Sequence, residues 1–242
     1  MKKDEENMRN NHTIKLINYL NLLRKKCHES FLWIAIATFT STAADAADIE
    51  YFTHHRASVS GTLTSSLTYS AEMGYHYMLR DFAGIGISLG YWENFHTEGW
   101  AAESNWNISS DDECPSNLYL RPSVIIKSPA VRIRDIYISL YGEPGVMINL
   151  PYQRVAIEST SEWPKTDYEF ISTTKGQWLA MELRAGICID IGECGISAGY
   201  TFSNYDIYSQ YRHLSYRGVS FNRYYPRKPV IHGAFLSLSY NF

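Results

Sequence analysis

Beyond residue 57, apolar and polar side chains alternate one by one along most of the chain. Leu67, Tyr69, Ala71, Met73, Tyr75, Tyr77 and Leu79 share one phase, and Thr68, Ser70, Glu72, Gly74, His76, Met78 and Arg80 the other. A period of two puts successive side chains on opposite faces of an extended strand, whereas a helix needs spacings of three and four. The same rule holds from 85 to 95 (Ile85, Ile87, Leu89, Tyr91, Phe95), 118 to 126, 136 to 150, 179 to 189 and 196 to 202. The last ten residues, GAFLSLSYNF, complete the set with Ala234, Leu236, Leu238, Tyr240 and Phe242 in one phase. These are seven strands. An eighth, weaker one runs through Ala57, Val59 and Leu63. Its phase continues unbroken to residue 79, so a tight turn near 61–66 has to divide it from the next strand.

The connections alternate in length as well. Residues 80–84, 128–135 and 191–195 are short links, and 96–117, 151–176 and 207–229 are long ones. A short-long rhythm between alternating strands is the layout of an up-and-down barrel in an outer membrane, with short turns on one side and long loops on the other. A secreted β-sandwich alternates too, with its apolar face turned inward. Charge placement separates the two. Within the strands Arg56, Glu72, Arg121, Glu143, Glu182 and Arg184 all fall on the polar phase, and Lys127, Lys165, Lys175 and Lys228 fall at turns or in long loops. A charge facing lipid at mid-membrane costs about 2–4 kcal/mol, which enforces such segregation. The polar phase is Gly, Ser, Tyr, Arg and Glu, suited to filling a narrow lumen. The aromatics of the apolar phase gather near strand ends, as interfacial girdles do. The expected fold is all-β: an antiparallel, up-and-down transmembrane β-barrel of eight strands.

The first 46 residues have a different character. A basic cluster (Arg24, Lys25, Lys26) precedes the apolar run FLWIAIATF at 31–39, and Ala44-Asp45-Ala46 follows as a small-x-small cleavage site. That order reads as a secretory signal peptide over 1–46, leaving 47–242 as the barrel domain. The 242-residue chain is 45% hydrophobic, which excludes a disordered tail, and its formal net charge of −3 gives no push toward nucleic acid.

Four stretches, HRASVSGTL, GIGISLGYWENF, EPGVMINLPY and FLSLSYNF, resemble the small outer-membrane β-barrel proteins common in Bacteroidetes, similar in architecture to the OmpA and OmpX barrels. The resemblance covers the region after the leader. It implies location in the outer membrane of a Gram-negative bacterium, contact with membrane lipid and lipopolysaccharide, and a monomeric barrel. It also implies that the terminal Tyr240 and Phe242 are read by the barrel-insertion machinery.

The residues suggest few chemical sites. Arg56, Glu72, Arg121, Glu143, Glu182 and Arg184 are expected to pair inside the lumen, because buried charges require partners. Eight strands enclose only enough room for side chains, so an open pore is not expected. Cys188 and Cys194 flank a short turn, where an oxidising compartment allows either a disulfide across the hairpin or two thiols. The loop at 96–117 is acidic. The loop at 207–229 is basic and aromatic, and Arg212, Tyr216, Arg217, Arg223, Arg227 and Lys228 are candidates for contact with anionic lipopolysaccharide or surface glycan. The simpler alternative is that the two loops pair across the barrel mouth. His213 and Ser215 lack a nucleophile motif, and His54 and His55 lack metal-ligand companions. No catalytic residue, metal or cofactor is expected. The function expected is envelope-structural or surface-interacting, against a small lipid-modifying outer-membrane enzyme or a secreted β-sandwich binding module.

Overall fold

The computed structural model describes residues 53–112, 114–159 and 168–242, so the expected signal peptide at 1–46 lies outside the described residues. Eight long strands follow in chain order: β1 (His55–Thr64), β2 (Thr68–Arg80), β3 (Ala83–Asn94), β4 (Ser116–Lys127), β5 (Ile136–Asn149), β6 (Leu179–Ile191), β7 (Cys194–Ser203) and β8 (Ile231–Asn241). Each pairs antiparallel with its chain neighbours. β8 also pairs with β1, from Arg56 opposite Asn241 to Thr64 opposite Gly233, and this closes the barrel. Closure leaves no unpaired edge, the condition for a sheet in a medium without water. Phe242 is tied in: its N–H donates to the His55 carbonyl at 2.8 Å, and its own carbonyl accepts from the His55 N–H at 3.1 Å.

The alternation seen in the sequence becomes inside and outside. Outward side chains are apolar and uncovered, with Met73 70% and Val59 59% exposed, while Arg121 on the inner face is 1% exposed. Between large inward side chains, glycines provide room. A Cβ on Gly90 of β3 would lie 2.2 Å from Cζ of Tyr119, whose ring rests over that glycine.

At one rim the links are short: residues 81–82, 128–135 and 192–193. Gly192 there has φ +58°, a left-handed turn conformation natural to glycine. The β1–β2 turn at the opposite rim sits at residues 65–67, toward the end of the stretch expected to hold it. β1 runs straight through Gly61, which pairs with both Ala71 and Leu236. The turn is held by the Leu67 N–H on the Thr64 carbonyl (3.1 Å) and by Asn94 Nδ2 on the Ser66 carbonyl (2.7 Å).

The long connections, expected as loops, carry regular structure of their own. They contribute four further strands, Ala102–Glu103, Trp106–Ile108, Gln153–Ser159 and Tyr168–Thr173, which form a second antiparallel sheet. A small hairpin, Ser215–Tyr216 with Val219–Ser220, stands between two 3₁₀ turns. Together they enclose an aromatic core at the barrel mouth that includes Trp106, Ile108, Val155, Ile157, Tyr208, Tyr211, Phe221 and Tyr225. Trp106 stacks on Phe221 at 5.6 Å between ring centroids. This is a folded cap with its own hydrophobic core, continuous with the upper lumen through Trp92, Tyr119, Met147 and Ile231.

Candidate functional site

The lumen is filled in layers. At mid-height Glu72 of β2 receives a guanidinium from each side. Arg121 of β4 donates from Nε at 3.0 Å and Nη2 at 2.7 Å, and Arg184 of β6 from Nη1 at 3.1 Å and Nη2 at 2.9 Å. Arg121 Nη2 also reaches Glu143 Oε1 of β5 at 2.6 Å, and Arg184 Nε reaches Glu182 Oε1 at 3.0 Å. Glu182 Oε2 lies 3.6 Å from Arg121 Nε. All five side chains are buried. Neutral donors complete the array: Tyr119 to Glu72 (3.0 Å), Ser123 to Glu143 (2.8 Å), Thr201 to Glu182 (2.9 Å) and Tyr141 to Glu143. Arg184 Nη1 donates to Ser60 Oγ (3.2 Å). His76 Nε2 stands 3.1 Å from Ser123 Oγ and 3.4 Å from Glu143 Oε1. Charge-assisted, bidentate bonds of this kind fix geometry as well as charge.

Five of the six expected lumen charges therefore meet, and the sixth does not. Arg56 sits near the rim of short turns, with Nη1 3.8 Å from Asp190 Oδ1 and Nη2 3.7 Å from the Cys188 sulfur. Lys127, placed by the sequence at a turn, reaches inward from the end of β4 to Asp190 at 2.7 Å. Strand phase alone put Arg56 with the others, but phase says nothing about height along the barrel. Missing from the sequence expectation are His76, Tyr119 and Tyr141 of the network and Asp190, the partner of Arg56 and Lys127 near the rim. Their polar phase was visible, but their partners depend on register. An apolar layer of Met78, Ile125, Tyr141, Cys188 and Phe235 lies alongside, which explains why a large aromatic, Phe235, stands in the polar phase of the last strand.

A disulfide between Cys188 and Cys194 is not formed. Cys188 is 0% exposed and faces the lumen, while Cys194 faces outward with Ile196. Their ladder partners are Ser197 and Ile191, so the hairpin register puts the thiols on opposite faces of the sheet.

At the mouth, the acidic and basic loops pair. Lys228 Nζ contacts Glu98 Oε1 at 2.7 Å, Arg223 pairs with Glu103, and Tyr224 donates to Glu103. Arg212 is bound to Asp206, immediately before the basic loop, at 2.5 and 3.0 Å. With Tyr216 on Glu169, four of the six candidate glycan contacts are engaged with carboxylates of the cap. Tyr216 donates to Glu169, which raises its hydroxyl pKa, and burial likewise pushes the Tyr208 hydroxyl up. Arg217 and Arg227 are exposed, and the Arg217 guanidinium lies 5.1 Å from the Tyr216 ring centroid. His213 Nδ1 is 2.7 Å from the Ser209 carbonyl oxygen, which directs that nitrogen to the backbone. Among the described residues, no three His, Cys, Asp or Glu side chains group as a metal site. Tyr240 donates to Glu193 at 2.5 Å, and the Phe242 ring stacks on His55 at 5.5 Å.

No protein-family model matches the chain. No curated protein matches it either. Solved structures similar to it include the N-terminal β-barrel domain of Pseudomonas aeruginosa OprF, at 11% identity over 78% of this chain and 96% of that one, with TM-score 0.36. A major outer membrane protein from Thermus thermophilus is 9% identical over 79% of this chain and 100% of that one, with TM-score 0.45. The outer membrane enzyme PagL is 12% identical over 77% and 99%, with TM-score 0.36. At these identities and scores each is a likeness in strand layout.

Proposed function

We propose that the chain is an outer-membrane β-barrel protein whose lumen is closed and whose work is done at the cap, in an envelope-structural or surface-contact role. The observation that carries this reading is the buried network of Glu72, Arg121, Glu143, Glu182 and Arg184, which links β2, β4, β5 and β6 across the lumen. A space occupied this way offers no aqueous path. Two features support the membrane setting. The strands run to 10–14 residues, against about 9–11 needed for a tilted strand to cross a bilayer. Their outward residues are almost all apolar, a surface that water penalises and hydrocarbon accepts. By the same logic the rim of short turns faces the periplasm and the cap faces out. On the cap, Arg217, Arg223 and Arg227 are exposed cations of the basic loop, Arg223 being paired with Glu103, and Arg217 over Tyr216 is a pairing suited to a phosphorylated or sulfated glycan such as lipopolysaccharide.

The test combines location with conductance. The native protein should fractionate with outer membranes, run at a different gel mobility before and after boiling, and stay electrically silent in planar bilayers. Soluble protein with one mobility would overturn the membrane reading. Steady single-channel currents would overturn the closed lumen.

A further inference from the structure

A small cavity of about 40 Å³ separates the lumen network from the cap. Its ceiling is closed by Trp92, Tyr205 and Ile207, all buried. Its floor includes Glu182, and threonine hydroxyls line its sides, Thr62 and Thr64 from β1 and Thr201 from β7. The volume admits two or three water-sized bodies.

Three observations converge on this space. First, the layer beneath it carries one excess negative charge as a set of ionised groups: three carboxylates (Glu72, Glu143, Glu182) face two guanidiniums (Arg121, Arg184), while the opposite excess, Arg56 and Lys127 on Asp190, stands nearer the rim of short turns, with the apolar layer of Met78, Ile125, Tyr141, Cys188 and Phe235 alongside. A buried charge without compensation is costly. Second, the carboxylate at the cavity floor is the one least engaged. Glu182 Oε1 accepts from Arg184 and Thr201, whereas Oε2 has no hydrogen-bond partner, and the residue is only 7% exposed. Third, Thr62 Oγ1 and Thr64 Oγ1 in the same walls are buried without a hydrogen-bond partner, Thr62 being 6% exposed. The donors offered are thus carboxylate and hydroxyl oxygens, the hard ligands that suit alkali and alkaline-earth cations rather than transition metals.

We propose that this cavity is a binding site for one monovalent alkali cation, held by Glu182 and the hydroxyls of Thr62 and Thr64, which neutralises the lumen network. The deficit of this layer is a single charge, so a monovalent ion balances it locally and a divalent ion overshoots. The remaining room takes one or two waters on the ion. The other charged or titratable groups packed on the network are His76, Tyr119 and Tyr141. Of these, His76 is the one whose protonation would balance the set without an ion, and it stands at Glu143, off the cavity wall.

The experiment measures the temperature at which the refolded full-length barrel loses its fast gel mobility, in sodium, potassium or rubidium chloride against choline chloride at equal ionic strength. A saturable rise with the alkali ions is expected, absent in Glu182→Gln. Crystals grown in rubidium chloride should give an anomalous peak in the cavity. Should Glu182→Gln fail to fold, Thr62→Val removes one ligand without changing charge, and the half-saturating ion concentration should rise at least tenfold. Identical behaviour in choline and alkali salts with an empty cavity in the rubidium crystals overturns the proposal. Ion dependence unchanged in Glu182→Gln or Thr62→Val also overturns it, as does a cationic His76 imidazole at pH 7.5 by nitrogen-15 NMR.

Discussion

Arg121 offers the sharpest test of the lumen network, because it is the one side chain that touches all three carboxylates. Its contacts are 2.7 and 3.0 Å to Glu72, 2.6 Å to Glu143 and 3.6 Å to Glu182. Arg121→Met keeps most of the aliphatic stem and removes the charge. Three buried carboxylates then face Arg184 alone. Removing one partner from a buried ion pair costs about 3–5 kcal/mol, because the other is left without compensation. At 1.36 kcal/mol per decade this is a loss of roughly 150- to 5000-fold in the folding equilibrium constant. Urea unfolding of protein refolded in lipid vesicles, followed by tryptophan emission and by gel mobility, measures it. Arg121→Met/Glu143→Gln withdraws one of the stranded charges and should recover about 1–3 kcal/mol as a coupling energy. A loss below about 1 kcal/mol for the single variant is what a solvated surface pair contributes. That result would refute the claim that the network is dry and holds the barrel together.

Three further outcomes are expected. Phe221→Ala should open the cap and leave the barrel standing: protease should cut within residues 95–115, 150–178 or 204–230, while the heat-dependent mobility shift persists, since Phe221 is buried in the cap core against Trp106 and such truncations cost about 3–5 kcal/mol. In the folded protein a maleimide probe should label Cys194 and spare Cys188, and labelling of Cys188 before unfolding would contradict its burial in the lumen. Arg217→Gln/Arg227→Gln should weaken lipopolysaccharide binding at least several-fold and flatten its salt dependence, whereas Arg212→Gln should loosen the cap through loss of Asp206; unaltered binding in the double variant would remove the glycan reading.

The barrel was legible because its rule is local. One strand of alternating residues declares its two faces without reference to any other, and the expected strand at 196–202 lies inside Cys194–Ser203. What alternation cannot encode is height. Arg56 and Glu72 share a phase on neighbouring strands, yet Arg56 lies beside Asp190 near one rim and Glu72 at the centre. The distinction comes from turn positions and the stagger between strands, which a single-strand pattern does not carry. The cysteine pair shows the same gap: proximity in sequence invited a disulfide, and the register put the thiols on opposite faces. The cap was hidden for another reason. Its strands run from two to seven residues, too short for a period to register, and its ion pairs join residues far apart in sequence, such as Glu98 and Lys228. The opposite charges of those two loops were the one signal available, and they did foretell pairing across the mouth.

The arrangement of network below and aromatic core above has a consequence for leakage. The two closures stand in series along one axis, with a small cavity between them, and they are held by unlike forces, one electrostatic and one hydrophobic. Acid strong enough to protonate the carboxylates slackens the first and leaves the second intact, and amphiphiles that swell the second leave the first in place. A barrel built this way stays shut under either stress alone, so a current through it requires both failures at once.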